Sequence, residues 1–360
     1  MSSTLIDERT APTAPATGTR WRRLLFGRDA AIIALLAVVW LVALFAVPHF
    51  NSPSTLYYLL EDIFPVLLIA LPMTMVVITG EIDLSVGSMV GLGSVVVGAL
   101  VQGGMPFGTA AAVALAVGAV GGALNGYLVT KVGLPSLAVT IGTLALFRGL
   151  AVSILGNRSV TGFPQEWKDL AQSRMFGSGT ALPSIIWLFV ILAVVFVTLL
   201  HFTPTGRATY AIGMNDEAAR FSGINSDRLK LGLFAATGAI SALAGIWFVL
   251  YYNTARGDNA TGLELSVVAA VLVGGVSIFG GKGGLPGVIA GVLLIGALRS
   301  ALRLADVSSD AINVATGVLL VVTVIVPSLV LWLGRVRKAL ILGVRVRSGA
   351  PGAPHREEEL

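Results

Sequence analysis

Two short motifs place an acid two residues ahead of a serine. Thr79-Gly80 leads to Asp83-Leu84-Ser85-Val86, and Thr261-Gly262 leads to Glu264-Leu265-Ser266-Val267. Each acid stands at the expected start of a helix, where unpaired N–H groups and interfacial water favour a carboxylate, so capping is the expected role rather than proton transfer. Arg148 follows Thr140 and Thr143 on one helical face; about 20 Å of rise from Pro135 puts it towards one membrane surface, facing a pathway or snorkelling to the interface. Asn125, in a Gly-lined face, and Asn313, at the start of an apolar run, complete the polar candidates for a pathway.

Other chemistry is excluded. The chain has no cysteine, and His49, His201 and His355 are scattered, so no thiolate chemistry and no metal cluster is expected. Gly280-Gly281-Lys282-Gly283 imitates a phosphate loop, but Val276 occupies the first glycine position and Gly283 replaces the magnesium-binding hydroxyl. The chain is therefore not itself an ATPase. No nucleophile, base and orienting group stand together as an enzyme requires.

The elements that must position these residues are membrane helices. Of 360 residues 55% are hydrophobic and 12% charged, about half the charged share of a soluble domain, and mean hydropathy is +0.87. At about 20 residues per crossing, ten apolar segments are expected: Ala31 to Val47, Leu59 to Thr79, Leu84 to Val101, Pro106 to Leu128, Pro135 to Leu155, Pro183 to Phe202, Leu231 to Tyr252, Leu263 to Gly280, Leu285 to Leu302 and Ala311 to Leu333. The expectation is an all-α polytopic membrane protein, residues 29–334, with tails 1–28 and 335–360. The first tail is expected to be disordered and the second to run from basic to acidic. With both termini cytoplasmic, 17 of the 24 Lys and Arg fall inside, as the positive-inside rule requires. This sorting, rather than nucleic-acid binding, accounts for the net charge of +5.

The acid motifs mark an internal repeat. Each is followed by Gly-Gly-apolar-Pro, at Gly103 to Pro106 and at Gly283 to Pro286, with offsets of 181 and 180 residues between the two copies. Under the ten-helix topology the copies enter the membrane from opposite sides, an inverted repeat of the kind found in transporters. Glycines at four-residue spacing, such as Gly118, Gly122 and Gly126, are expected to pack helices closely.

Gly206 to Lys230 is the longest polar interruption, and charge sorting assigns it to the cytoplasm. Within it a two-turn helix is predicted, with Asn215 as N-cap, Asp216 and Glu217 in the first turn and Gly223 as the left-handed stop. Such a helix is too short to stand alone and must rest on something.

The runs Ile78 to Gly87, Thr140 to Leu150, Gly206 to Gly245 and Gly274 to Gly291 together resemble the permease subunits of bacterial ABC importers for monosaccharides, the ribose, xylose, rhamnose and autoinducer-2 branch. The resemblance covers roughly Leu59 to Pro327, with four motifs in the family's order. It departs at Glu81, where that family most often has Gly, which bears on substrate identity rather than class.

The resemblance implies a subunit of the bacterial cytoplasmic membrane working with two cytosolic ATPases, a second permease chain and an extracytoplasmic sugar-binding protein. ATP and Mg would reside on the ATPases and no cofactor on this chain. It also implies an ATPase-docking helix at Asn215, Asp216, Glu217, Ala218, Ala219, Arg220, Ser222 and Gly223, with Glu217, Ala218, Ala219 and Gly223 facing the partner. A transporter driven by an ion gradient is the alternative that inverted repeats also allow.

Overall fold

The computed structural model describes residues 28–156, 158–177, 179–319, 321, 322 and 325. The expected tails, and the expected tenth span beyond residue 325, lie outside the described residues. Twelve helices are named: α1 Arg28–Ala46, α2 Pro53–Ile78, α3 Val86–Gln102, α4 Phe107–Thr130, α5 Ser136–Leu155, α6 Gln165–Gln172, α7 Ile186–Phe202, α8 Pro204–Met214, α9 Asp216–Phe221, α10 Ser226–Tyr252, α11 Leu263–Val273 and α12 Leu285–Leu304. Residues 309–319 are also helical. Val160–Thr161 (β1) and Thr254–Ala255 (β2) form one antiparallel pair.

Among the described residues five helices, α2, α4, α5, α10 and α12, are individually long and apolar enough to cross a membrane. The pair α7–α8 qualifies jointly, bent by 65° where Pro204 opens α8. Of the ten expected segments, Leu84 to Val101 is present as α3 at nearly its expected length, whereas α11 stops at Val273, seven residues before the expected end at Gly280. Eleven residues rise only about 16 Å, half of a hydrocarbon core near 30 Å. The stop has a packing cause. A Cβ at Gly274 would lie 2.4 Å from Val288 Cα, and Gly275 takes φ +88°, so chain and neighbour both require glycine there.

The core is built around α2, which is buried along most of its length and packs against α10, α11 and α12. Ser52 caps it by accepting from the Thr55 N–H at 3.2 Å, with Pro53 at its first position. Among the described residues α4 and α10 pack closely along much of their length. A Cβ at Gly118 would lie 2.5 Å from Gly238 O, and one at Gly122 only 2.1 Å from Phe234 O. The four-residue glycine spacing thus brings two backbones together, which in lipid is a main source of helix association.

Contacts between the ends of helices define two poles. At one, Tyr57 donates to Gln172 O, Phe107 packs on Phe163 and Trp167, and β1 pairs with β2. At the other, Gly281 N donates to Ile78 O, Tyr210 donates to Gly283 O, and Lys131 pairs with Asp227. Lys131, Arg207, Arg220, Arg228, Lys230 and Lys282 belong to segments of the second pole, whereas Arg158, Lys168, Arg174 and Arg256 belong to segments of the first.

Candidate functional site

The acid motifs meet where two short helices begin. Residues 81–85 are non-helical and lead into α3, and residues 256–262, which contain only turns, lead into α11. A Cβ at Gly87 would collide with Glu264 Oε2 at 2.0 Å and approach Ala260 O at 3.1 Å, so the N-terminal turns of α3 and α11 touch. From there α3 runs to the first pole, where Gly98 lies against Ala255 and Val160. α11 runs the other way, towards the 274–284 loop on Ile78 and Gly213. Two short helices, α3 of 17 residues and α11 of 11, meet at their N-termini as half-helices do in the broken-helix arrangement of transporters.

Hydrogen bonds hold each lead-in. Asp83, 1% exposed, accepts from Ser85 N at 2.9 Å and Ser85 Oγ at 2.6 Å. Asn125 on α4 donates to Ser85 Oγ at 2.9 Å. From α5, Ser136 Oγ accepts from Ile82 N and Thr140 Oγ1 donates to Ile82 O, so the peptides on both sides of Ile82 are held. Thr143 is satisfied by Val139 O within its own helix. Asp83, Ser85, Asn125, Thr140 and Thr143 are thus buried, and none of them lines the cavity described below.

Arg148 does not snorkel. Its guanidinium turns inward and donates to Gly257 O and Asn259 O at 2.7 Å each, and to Gly87 O at 3.3 Å, clamping the second lead-in against α3. Glu264 sits in the first turn of α11, with Oε2 buried against Gly87 and without a hydrogen bond.

Ser266 and Asn313 do line an open space. A cavity of about 1100 Å³ is bounded by α2, the end of α10, α11, α12 and the 309–319 helix. Asp62, Asn259, Arg299 and Thr316 are among its other polar groups, with Arg256, Asp258 and Thr261 of the lead-in to α11, and Phe248 and Leu272 form part of its apolar wall. Sequence reading missed Glu61 and Asp62, although two adjacent acids near the start of an apolar run were the signal. Glu61 is fully buried, and neither carboxylate oxygen has a hydrogen bond of normal geometry.

At the second pole the predicted short helix is present as α9. Asn215 Oδ1 accepts from Ala218 N at 2.9 Å and Gly223 takes φ +84°. Glu217, Ala218, Arg220, Ser222 and Gly223 are exposed, whereas Ala219, expected on the same face, is 4% exposed and turned into the chain. Helical period accounts for this: in six residues one position must seat the helix on the body. Phe221, overlooked in the sequence, is 86% exposed, and Met214 and Phe279 of neighbouring segments are 73% and 90% exposed.

Charge ties α9 down. Lys230 Nζ lies 2.8 Å from Glu81 Oε1 and 3.3 Å from Asp216 Oδ2, and Asp227 is shared by Lys131 and Arg220. Partial burial alone would raise the Asp216 carboxyl, but the nearby Ser226 hydroxyl and the Lys230 and Arg220 cations hold it below the usual aspartate range.

Comparison with known proteins agrees with this architecture. Residues 55–327 match a family described as branched-chain amino acid transport system / permease component. The autoinducer 2 import system permease protein LsrD of Escherichia coli K12 is 34% identical over 310 residues, 84% of this chain and 92% of that protein. The protein of the same name from Photorhabdus laumondii is 34% identical over 306 residues, 83% and 91% of the two chains. No solved structure matches. A family match over residues 55–327, spanning the broken helices and α9 alike, makes this chain a multi-pass membrane protein that belongs to the transport-system permease-component family.

Proposed function

We propose that the chain is the membrane subunit of an ATP-driven importer of the bacterial cytoplasmic membrane, moving a monosaccharide or an autoinducer-2-like sugar derivative. The observation that carries this reading is α9: a helix too short to be stable alone, tethered by ion pairs, that turns Phe221 outward beside Met214 and Phe279. An exposed aromatic beside apolar neighbours is what a protein partner buries as a binding hot spot. With no phosphate loop in this chain, the partner that fits is the pair of cytosolic ATPases, which would hold ATP and Mg. The permease itself binds no cofactor in this reading.

The rest of the assembly follows from the resemblance: a second permease chain, like or unlike this one, and an extracytoplasmic binding protein. Both termini and the tails 1–28 and 335–360 are cytoplasmic. Ten crossing segments make up the membrane domain 29–334, with each half-helix and its lead-in counted as one, and the coupling loop is 206–230. The six basic residues at the second pole support that orientation.

The cavity edged by Asp62, Ser266, Arg299 and Asn313 is the candidate route. Its polar groups suit a hydroxyl-rich solute better than an aliphatic side chain, despite the amino-acid wording of the family description. An ion-gradient transporter has no observation of its own in favour.

Uptake of labelled ribose, xylose, rhamnose and autoinducer 2 in binding-protein-loaded membrane vesicles tests the reading. Phe221→Asp and Gly223→Arg should each cut ATP-dependent uptake roughly thirty-fold, the loss of one binding hot spot, and release the ATPases on purification. Uptake that survives these changes but collapses with an ionophore would establish the ion-gradient mechanism instead.

A further inference from the structure

Lys230 is 9% exposed at its side chain, at the start of α10, and connects two parts of the molecule that are far apart in sequence. One contact is Asp216 in the first turn of α9 and the other is Glu81, 149 residues away in the lead-in to α3. The lead-in is itself held rather than loose. Its next residue, Ile82, is clamped by Ser136 and Thr140, and Asp83 is locked to Ser85 and so to Asn125. On its other side Gly281 N bonds Ile78 O, and a Cβ at Gly280 would lie 3.0 Å from Gly80 N. Four residues beyond Asp83, Gly87 touches Glu264 at the start of α11.

A continuous path of charge pairs, hydrogen bonds and close packing therefore runs from α9 to the point where the two half-helices meet. Resting on the reading of α9 as the ATPase-docking element, we propose that Glu81, Lys230 and Asp216 form the strut through which displacement of α9 moves the 81–85 lead-in and thereby the two half-helices. These three are positioning residues. At its inner end, where Lys230 is 9% and Glu81 16% exposed at the side chain, the ion pair is stiff, because separating it strands a charge largely out of water. A strut of this kind transmits a push and a pull alike, which an apolar contact does not.

Because the natural chain lacks cysteine, a reporter can be placed cleanly. In the complex with its own ATPases, Ser266→Cys puts one thiol on the cavity wall, and an impermeant maleimide reads its accessibility with and without ATP and vanadate. This readout needs no knowledge of the sugar. The double variant Glu81→Gln with Lys230→Met removes both charges of the inner pair together, while Asp216 keeps Arg220 as its cation and α9 keeps that tie.

The expected result is that the ATPases still co-purify and hydrolyse ATP, while the nucleotide-dependent change in labelling falls about five-fold or more, the scale of a coupling free energy. A full change in labelling would overturn the strut. Should the double variant fail to assemble, Glu81→Asp keeps every charge and shortens the reach by one methylene. It must weaken the labelling change with assembly intact, and an undiminished change would overturn the proposal equally. Failure of the docking reading is separable, since it shows as ATPases that remain bound and active on the permease carrying Phe221→Asp.

Discussion

Arg148 shows how little a residue's type says about its task. A lone cation in an apolar helix suggests either a pathway lining or a snorkelling side chain, yet its nitrogens are spent on three backbone carbonyls of two segments. Arg148→Met would leave those carbonyls unpaired where little water reaches, and a loss of about 2–3 kcal/mol is expected, read as a lower unfolding temperature in detergent. Arg148→Lys, which cannot fan out to three acceptors, should recover only part of it. Asn125→Leu removes the bond to Ser85 Oγ and should cost about 1–2 kcal/mol by the same measure.

Asp216 gives a prediction in pH. Its folded carboxyl is held below the ordinary value, so the tether it supplies to α9 is fully present above the unfolded pKa of about 4 and is lost as pH falls through the lower folded value. Hydrogen-exchange protection of α9 should therefore be flat, after correction for intrinsic rates, from pH 8 down to 5. A steady loss across that range would contradict the assignment.

At the scale of elements, glycine decides two different things. In α4 it permits contact: Gly122→Ala puts a methyl 2.1 Å from Phe234 O, a backbone atom that cannot swing aside, and about 1–3 kcal/mol of destabilisation is expected. Gly142→Ala in α5 is the control. Its added Cβ meets nothing within 4 Å, so helix propensity alone should make it neutral or stabilising by up to about 1 kcal/mol. Thermal unfolding of the two variants side by side separates packing from propensity. After α11, by contrast, Gly274 and Gly275 end a helix that hydropathy alone would continue. That is why an apolar window from Leu263 to Gly280 reads as a span and folds as half of one.

At the scale of the molecule, the two poles make a prediction about sidedness. Cysteine introduced at Arg207 or Phe279 should react with an impermeant maleimide only from the cytoplasmic face, and cysteine at Trp167 or Phe176 only from outside, in intact cells against inverted vesicles. Labelling of both sets from one face would overturn the proposed orientation and, with it, the assignment of α9 to the ATPases.

Sequence alone was enough for the membrane class, the capped helix at Asn215 to Gly223, the glycine seam of α4 and the paired acid motifs. Each of these is written locally, in composition, in 3.6-residue spacing, in cap chemistry or in a repeated string. Tertiary structure decided what those features meet. The partners of Thr140, Arg148 and Asn125, the inward turn of Ala219, the exposure of Phe221 and the Glu81–Lys230 pair all depend on groups dozens to more than a hundred residues away. Burial and partnership are properties of the space between elements, and no window along the chain contains that space.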